Sequence, residues 1–131
     1  MAMTHQPVFP QTPSTAALDI ENGDGTTVQT LLTAGSNGAK VASVSAISDD
    51  TADKTLTLYV NDALLGEVLV LDGSGTNGTD KAVSVLNATD LPWLPDDLAI
   101  TLKAGDILKI GVKVAVTAAK KIQLCAFYGD Y

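Results

Sequence analysis

Arginine is absent from this 131-residue sequence, and its eight lysines are scattered among fifteen Asp and Glu residues, which gives a formal net charge of −7. Nucleic-acid binding usually depends on a basic face, and arginine is the side chain that most often reads bases. The composition therefore argues against nucleic-acid binding. The acidity favours solubility, and it suits contact with a basic protein surface.

Histidine and cysteine, on which much protein catalysis depends, occur once each, at His5 and Cys125. A catalytic triad or a catalytic zinc needs a histidine held by a rigid scaffold, and His5 lies in a proline-containing terminal segment. Cys125 has no second cysteine for a disulfide and no evident base to activate it. A pair of carboxylates can hydrolyse a glycoside, but Asp96 and Asp97 are adjacent, and on an extended segment adjacent side chains point apart. The sequence therefore predicts a protein that is not an enzyme and has no cofactor.

Two clusters of Asp, Asn and Gly, at residues 22–24 and 72–80, raise the question of calcium binding. An EF-hand loop closes with a glutamate, and neither cluster supplies one. Turn formation accounts for the same residue types. We therefore predict no metal site at either cluster, and a mobile loop at residues 72–80.

The N-terminus also lacks the charged and apolar regions of a secretion signal, and no apolar run is long enough to span a membrane. The expectation is a protein that has no membrane contact and is made and used without Sec-type export.

Alternation of apolar and polar residues is the strongest positive signal, and it is clearest in residues 98–103, 108–116 and 122–128. A period of two gives a strand one buried and one exposed face, which is typical of antiparallel sheets. Hydrophobic residues make up 46% of the chain and aromatic residues only 5%. The core must therefore be built from Val, Leu, Ile and Ala.

The same reasoning predicts four earlier strands, at residues 28–33, 40–48, 55–60 and 64–71, and at residues 81–86 either a fifth strand or a mixed segment. The run at 64–71 is too densely apolar for simple alternation, so either both its faces are buried or its outer face meets another chain. The Ala-Gly-Asp sequence at 104–106 has the chemistry of a hairpin turn. Together these features predict an all-β fold, an antiparallel two-sheet β-sandwich that is jelly-roll-like and has about eight strands.

The N-terminal segment differs in character, because it contains three prolines, Pro7, Pro10 and Pro13. Prolines at these positions exclude a helix and disfavour a paired strand. We predict an extended or partly disordered arm over residues 1–27, in which Leu18 and Ile20 can form a short edge strand. The sandwich domain then covers residues 28–131. Deleting residues 1–20 should leave the fold intact.

The connection at residues 87–97 holds the sequence Leu-Pro-Trp-Leu-Pro at 91–95, which includes the only tryptophan of the chain. Its two prolines exclude regular structure. The segment is either a lid over one end of the sandwich or an exposed hydrophobic contact.

Five segments carry a family resemblance when taken in order: LTAGSNGAKV at 32–41, TLTLYV at 55–60, LPWLP at 91–95, LKAGDILK at 102–109 and AFYGDY at 126–131. Together they resemble small virion structural proteins of tailed bacteriophages, and the likeness covers about residues 28–131. The resemblance implies a structural role, as a head decoration (cement) protein on the outside of the capsid.

Partners and location are also implied by the resemblance. Proteins of this type bind the major capsid protein and assemble as oligomers, with a homotrimer favoured. We therefore expect a location on the capsid surface of the virion, after synthesis in the cytoplasm of the bacterial host. A tail, fibre or baseplate component is an alternative. A carbohydrate-binding module is another, and it would need exposed aromatic rings such as Trp93 and Tyr59.

A capsid binder needs an apolar patch and a segment that reaches across a joint between subunits. The residues that we predict for this partner interface are Pro7, Pro10 and Pro13 in the arm, and Leu91, Trp93, Leu94, Phe127 and Tyr131 in the sandwich.

Overall fold

A computed structural model describes residues 12–131 of the protein; Pro7 and Pro10 lie outside the described residues. The described part forms nine strands: β1 Thr12–Glu21, β2 Gln29–Thr33, β3 Ala39–Ser48, β4 Lys54–Val60, β5 Ala63–Val70, β6 Val83–Ser84, β7 Ile100–Leu102, β8 Ile107–Val112 and β9 Lys121–Asp130. A single 3₁₀ turn, Asn22–Asp24, follows β1. Within residues 12–131 there is no helix with the length and hydrophobicity to cross a membrane.

The strands form two antiparallel sheets, one in the order β1-β9-β3-β6 with β7 also paired to β3, and one in the order β2-β8-β4-β5. The pairs are nested: β1 joins β9, β2 joins β8, β3 joins β6, and β4 joins β5. A long hairpin rolled up in this way is the jelly-roll arrangement. The predicted all-β, two-sheet sandwich is therefore confirmed.

The ninth strand is β1, which lies in the segment that the sequence analysis assigned to the arm. It pairs with β9 over its whole length, from Thr12 opposite Asp130 to Glu21 opposite Lys121. Pro13 is tolerated because β1 is an edge strand, where a missing N–H removes no hydrogen bond to a second neighbour. Ile20 is 1% exposed and belongs to the core. A deletion through residue 20 would remove this strand, so the structure favours the opposite of the expectation that such a deletion leaves the fold intact.

The core lies between the sheets, and every hydrophobic side chain buried there within residues 12–131 is Val, Leu, Ile or Ala. Leu56, Leu58 and Ile110 come from the four-stranded sheet, while Ile122 and Leu124 come from the other. Aliphatic side chains fill the space of about 10 Å between packed sheets without the polar atoms of Tyr or Trp.

Two connections differ from their predicted form. The turn at residues 104–106 is not a hairpin, because β7 pairs with β3 in one sheet and β8 belongs to the other. The chain crosses between the sheets there, with Gly105 at φ +78°. The predicted strand at 108–116 ends at Val112, and Val114 is 63% exposed because the chain leaves the sheet after Lys113.

Residues 72–80 are fastened to the sandwich instead of forming a loose loop. The Ser48 N–H donates to Ser74 O at 2.8 Å, and Thr76 Oγ1 donates to Ser48 O at 2.8 Å. The Gly73 N–H donates to Asp50 O at 3.0 Å. These bonds hold the segment along the end of β3, which the sequence analysis did not anticipate.

Candidate interaction surface

The outer surface of the five-stranded sheet is the main candidate site, and we call its centre the β9 face. The register places Thr15, Phe127 and Ser43 in one row, and Ala17, Cys125 and Ser45 in the next. They point outward because the alternate residues of β9, Leu124 and Ala126, are buried. Phe127 is 48% exposed and stands among small uncharged residues. Such a face can lie against another protein without burying an unpaired charge.

An open groove of about 650 Å³ lies at one end of the β9 face, and its lining residues are Pro13, Ser14, Thr15, Lys40, Ala42, Phe127, Tyr128 and Gly129. Gly129 pairs with Pro13 on one side and with Lys40 on the other. Because glycine has no side chain, the sheet is hollow at this point, and Phe127 on the same face forms a wall of the hollow.

Lys40 is the charged residue of the groove, and an ion pair neutralises it. Its Nζ lies 3.0 Å from Asp97 Oδ2. The hydrogen bond and the charge of Asp97 raise the pKa of Lys40. The same hydrogen bond, together with one from the Ala99 N–H, lowers the pKa of Asp97. Both groups therefore stay ionised at neutral pH, and the groove offers an apolar wall beside a compensated charge.

Of the predicted interface residues, Pro13, Phe127 and Tyr131 lie at the five-stranded sheet, whereas Trp93 lies beside the four-stranded one. Pro13 and Phe127 meet in the groove. Tyr131 follows β9 and is half-buried, with its N–H donating to Gly38 O at 3.1 Å. Trp93 is 48% exposed, and its Nε1 donates to Leu65 O on β5 at 3.0 Å, which places it beside the four-stranded sheet.

Leu91 and Leu94, also predicted for the interface, face the protein itself. Leu91 is fully buried and packs against Gly66 of β5, where a Cβ atom would overlap its side chain. Leu94 is half-buried and packs against the core. The segment therefore covers part of the edge strand β5, and Leu91 is not accessible to a partner. The burial of Leu91 over Gly66 is a contact without a signal in the local sequence.

An exposed apolar strip that the interface prediction omitted lies on and just after β5, at Leu64, Leu69 and Leu71. Leu64 and Leu69 are 55% and 49% exposed, so burial on both faces is wrong for this segment, and contact of its outer face with another chain stays a prediction. Its outward Glu67 forms an ion pair with Lys113 at 2.8 Å. This surface therefore holds a charged pair among its exposed leucines, whereas the two central rows of the β9 face hold none.

A buried polar cluster joins the β3–β4 turn to the segment after β8. Asp50 is 1% exposed, and it accepts hydrogen bonds from the Thr117 N–H at 2.9 Å, from Thr117 Oγ1 at 2.7 Å and from the Ala52 N–H at 3.0 Å. Lys54 Nζ lies 4.0 Å away. Burial by itself raises the pKa of Asp50, but these hydrogen bonds and the Lys54 charge outweigh it and hold the pKa below its ordinary value. The cluster is an internal brace, not an exposed site.

The two clusters considered for calcium use their polar groups in turns. Asp24 Oδ2 accepts a hydrogen bond from the Glu21 N–H at 2.8 Å. Asn77 Oδ1 accepts bonds from the Thr79 and Asp80 N–H groups, each at 2.8 Å. In the described ranges, no three side chains of the His, Cys, Asp or Glu type converge as metal ligands.

The nested antiparallel pairs define a jelly-roll sandwich, a class that includes viral capsid and lectin domains. Neither a protein-family model nor a curated protein matches the sequence. Among solved structures, the chain is similar to a protein in the acidic stable capsid structure of Helicobacter pylori bacteriophage KHP30, with a TM-score of 0.62 and 15% identity over 92% of this chain and 90% of that one. It is also similar to a protein of the cyanophage Pam1 capsid asymmetric unit, with a TM-score of 0.52 and 16% identity over 100% of this chain and 94% of the other. At these identities the likeness shows that the fold is shared with phage capsid proteins.

Proposed function

We propose that this protein is a non-enzymatic structural component of a bacteriophage virion. Within the virion it acts as a head decoration (cement) protein, which binds the major capsid protein on the outer surface as a homo-oligomer, with a trimer favoured. The observation that carries the proposal is the uncharged β9 face around Phe127, on a fold shared with phage capsid proteins.

The β9 face supports an assembly role because it offers apolar contact with little desolvation of charge. Burying the exposed half of Phe127 stabilises a contact by about 1 kcal/mol. A protein that binds the assembled shell but not its free subunits shifts the equilibrium toward the shell. Adhesion to a shell needs no reacting groups, and a rigid jelly roll with an aliphatic core suits such a task.

The acidic surface adds an electrostatic preference. With a net charge of −7, the protein is attracted to a basic patch on a partner and repelled by an acidic one. Since ions screen exposed charges over about 10 Å at 0.1 M salt, binding to such a patch weakens as salt concentration rises.

Immunolabelling of purified parent particles tests the location. Antibody against this protein should label the head surface of intact virions, and particles that lack the protein should release their DNA at a lower temperature. Label confined to the tail, fibres or baseplate would assign the chain to one of those structures and overturn the decoration role. Unlabelled particles with unchanged heat resistance would overturn a virion role altogether.

Binding of carbohydrate is less well supported, because the ring of Phe127 does not share a platform with those of Tyr59 and Trp93. Phe127 belongs to β9 in one sheet, whereas Tyr59 belongs to β4 in the other, and Trp93 lies beside β5. Sugar-binding sites stack their ligand on neighbouring rings. A glycan array should therefore give no signal above background.

A further inference from the structure

The groove on the β9 face lies where the described chain begins. Thr12 pairs with Asp130 at the same end of the sheet as Gly129, and Pro13 lines the groove. The eleven preceding residues therefore join the structure beside the groove. This position makes them candidates for its occupant.

The sequence of that segment fits an aromatic, apolar groove. Pro7 and Pro10 are three residues apart and enclose Val8 and Phe9. In a polyproline II helix, residues three apart lie on the same face. Segments with this spacing bind grooves lined by aromatic side chains. The groove supplies one of these, Phe127; its neighbour Tyr128 also lines the groove, but it packs against the core.

Charge also favours this segment over the body of a second copy. Residues 1–18 contain no Asp, Glu or Lys, so all eight lysines and all fifteen acidic residues lie from Asp19 onward. Two bodies of net charge −7 repel each other, and this repulsion is smaller when the contact is made through an uncharged segment that keeps the bodies apart. Since Asp97 neutralises Lys40, the groove presents no uncompensated charge to an apolar peptide.

We propose that residues 7–10 of one copy dock in the groove of a neighbouring copy, above Gly129 and against Phe127. The proposal rests on the proposed function only in requiring a homo-oligomer.

A neighbouring copy is favoured by the direction in which the described chain begins. Thr12 is still paired with Asp130 at the end of β1, so the strand is directed past the end of the sheet and not back over its own groove. Pro7 lies five residues before Thr12, which gives a reach of about 16–18 Å.

Disulfide trapping in the purified full-length chain tests the docking and its direction. In a Cys125→Ser background, one chain carries Val8→Cys and a second, of different tagged mass, carries Thr15→Cys on the groove wall. We expect mixed disulfide dimers on oxidation, and few of them when the Thr15→Cys chain also carries Gly129→Val, which fills the hollow. Leu69→Ala, on the opposite sheet, should leave the yield unchanged.

The contrary outcomes are distinct. If a chain with both cysteines forms only an internal disulfide, the segment occupies its own groove and docking between copies is wrong. If neither arrangement gives a disulfide, the groove has another occupant. Because the trapping uses purified protein, its result does not depend on whether the virion label falls on the head or the tail.

Sedimentation equilibrium gives a second measurement of the same contact. Phe127→Ala and the double variant Pro7→Ala/Pro10→Ala should each weaken self-association about tenfold, while their urea midpoints stay near that of the unchanged protein. Leu69→Ala should not weaken it. Equal self-association in all four proteins, or a monomer at every concentration, would overturn the proposal.

Discussion

Asp50 and Thr117 form a two-point contact across 67 residues of sequence, because the Thr117 N–H and hydroxyl both donate to the Asp50 carboxylate, at 2.9 and 2.7 Å. The contact ties the turn after β3 to the chain after β8, where the regular pairing of β8 has ended. The buried Asp50 carboxylate thus connects the two sheets at a point beyond the last residue of β8.

Replacing Asp50 by Asn should destabilise the protein by about 2 kcal/mol. The amide group of Asn presents N–H where an oxygen accepted a bond, so a buried donor of Thr117 or Ala52 loses its partner. Lys54 also loses its anion. Urea unfolding followed by Trp93 fluorescence measures the change. Asp62→Asn, at a fully exposed side chain, is the matched control and should shift stability by less than about 0.5 kcal/mol. Equal effects of the two variants would show that the Asp50 contacts contribute nothing.

The pH dependence of stability should report the same contact. The pKa of Asp50 is lower in the folded protein than its ordinary value of 3.8. The carboxylate therefore contributes its full stabilisation above that ordinary value, and loses it as the pH falls toward the folded pKa. Urea midpoints measured from pH 6 down to pH 2.5 should fall less steeply below about pH 4 for Asp50→Asn than for the unchanged protein. Parallel curves would exclude a lowered pKa at Asp50.

How far the sequence determines these features differs from strand to strand. β9 was predictable because its inward Ile122, Leu124 and Ala126 alternate strictly, and the same parity placed Phe127 outside. β1 was predictable only near its end, where Leu18 and Ile20 indicated a short edge strand. Its full length was not, because Pro13 lies near its start and its inward positions there include small residues such as Ala16. Its pairing with β9 joins the two ends of the described chain, and a local pattern carries no signal for such a contact.

The candidate site shows the same limit. Phe127 and Pro13 could be singled out from the sequence, but their meeting in one groove depends on the pairing of β1 with β9. In the acidic turn after β3, Asp50 looks like its neighbour Asp49. Only the position of Thr117 in the folded chain distinguishes the buried carboxylate from the others.

Gly38 should be far less tolerant of substitution than Gly105, although both have positive φ, at +87° and +78°. A Cβ atom at Gly38 would lie 2.5 Å from Leu102 O, a backbone atom that cannot move aside, whereas a Cβ atom at Gly105 meets open space. Gly105→Ala should cost about 1 kcal/mol for the backbone conformation alone. Gly38→Ala should cost about 3 kcal/mol, because overpacking adds to that cost. Thermal unfolding of both variants measures the two losses of stability. A smaller loss for Gly38→Ala than for Gly105→Ala would contradict the close approach of Gly38 to Leu102.

Truncation separates the segment before Thr12 from the strand that follows it. Removing residues 1–11 should leave the unfolding midpoint nearly unchanged, because β1 and its pairing with β9 are retained. The same protein should bind purified heads more weakly, since loss of Pro7 and Pro10 weakens the contact between copies and with it their multivalent binding to the head. Removing residues 1–20 should instead lower the midpoint strongly, because the edge strand is lost and Ile20, a fully buried side chain, leaves a cavity. Ile20→Ala in the full chain isolates that last effect and should cost about 2–4 kcal/mol. Unfolding curves and head occupancy, measured on the same preparations, distinguish the two roles. If the protein without residues 1–11 occupies heads fully, the segment contributes nothing to binding. If the protein without residues 1–20 keeps its unfolding midpoint, β1 contributes nothing to the stability of the fold.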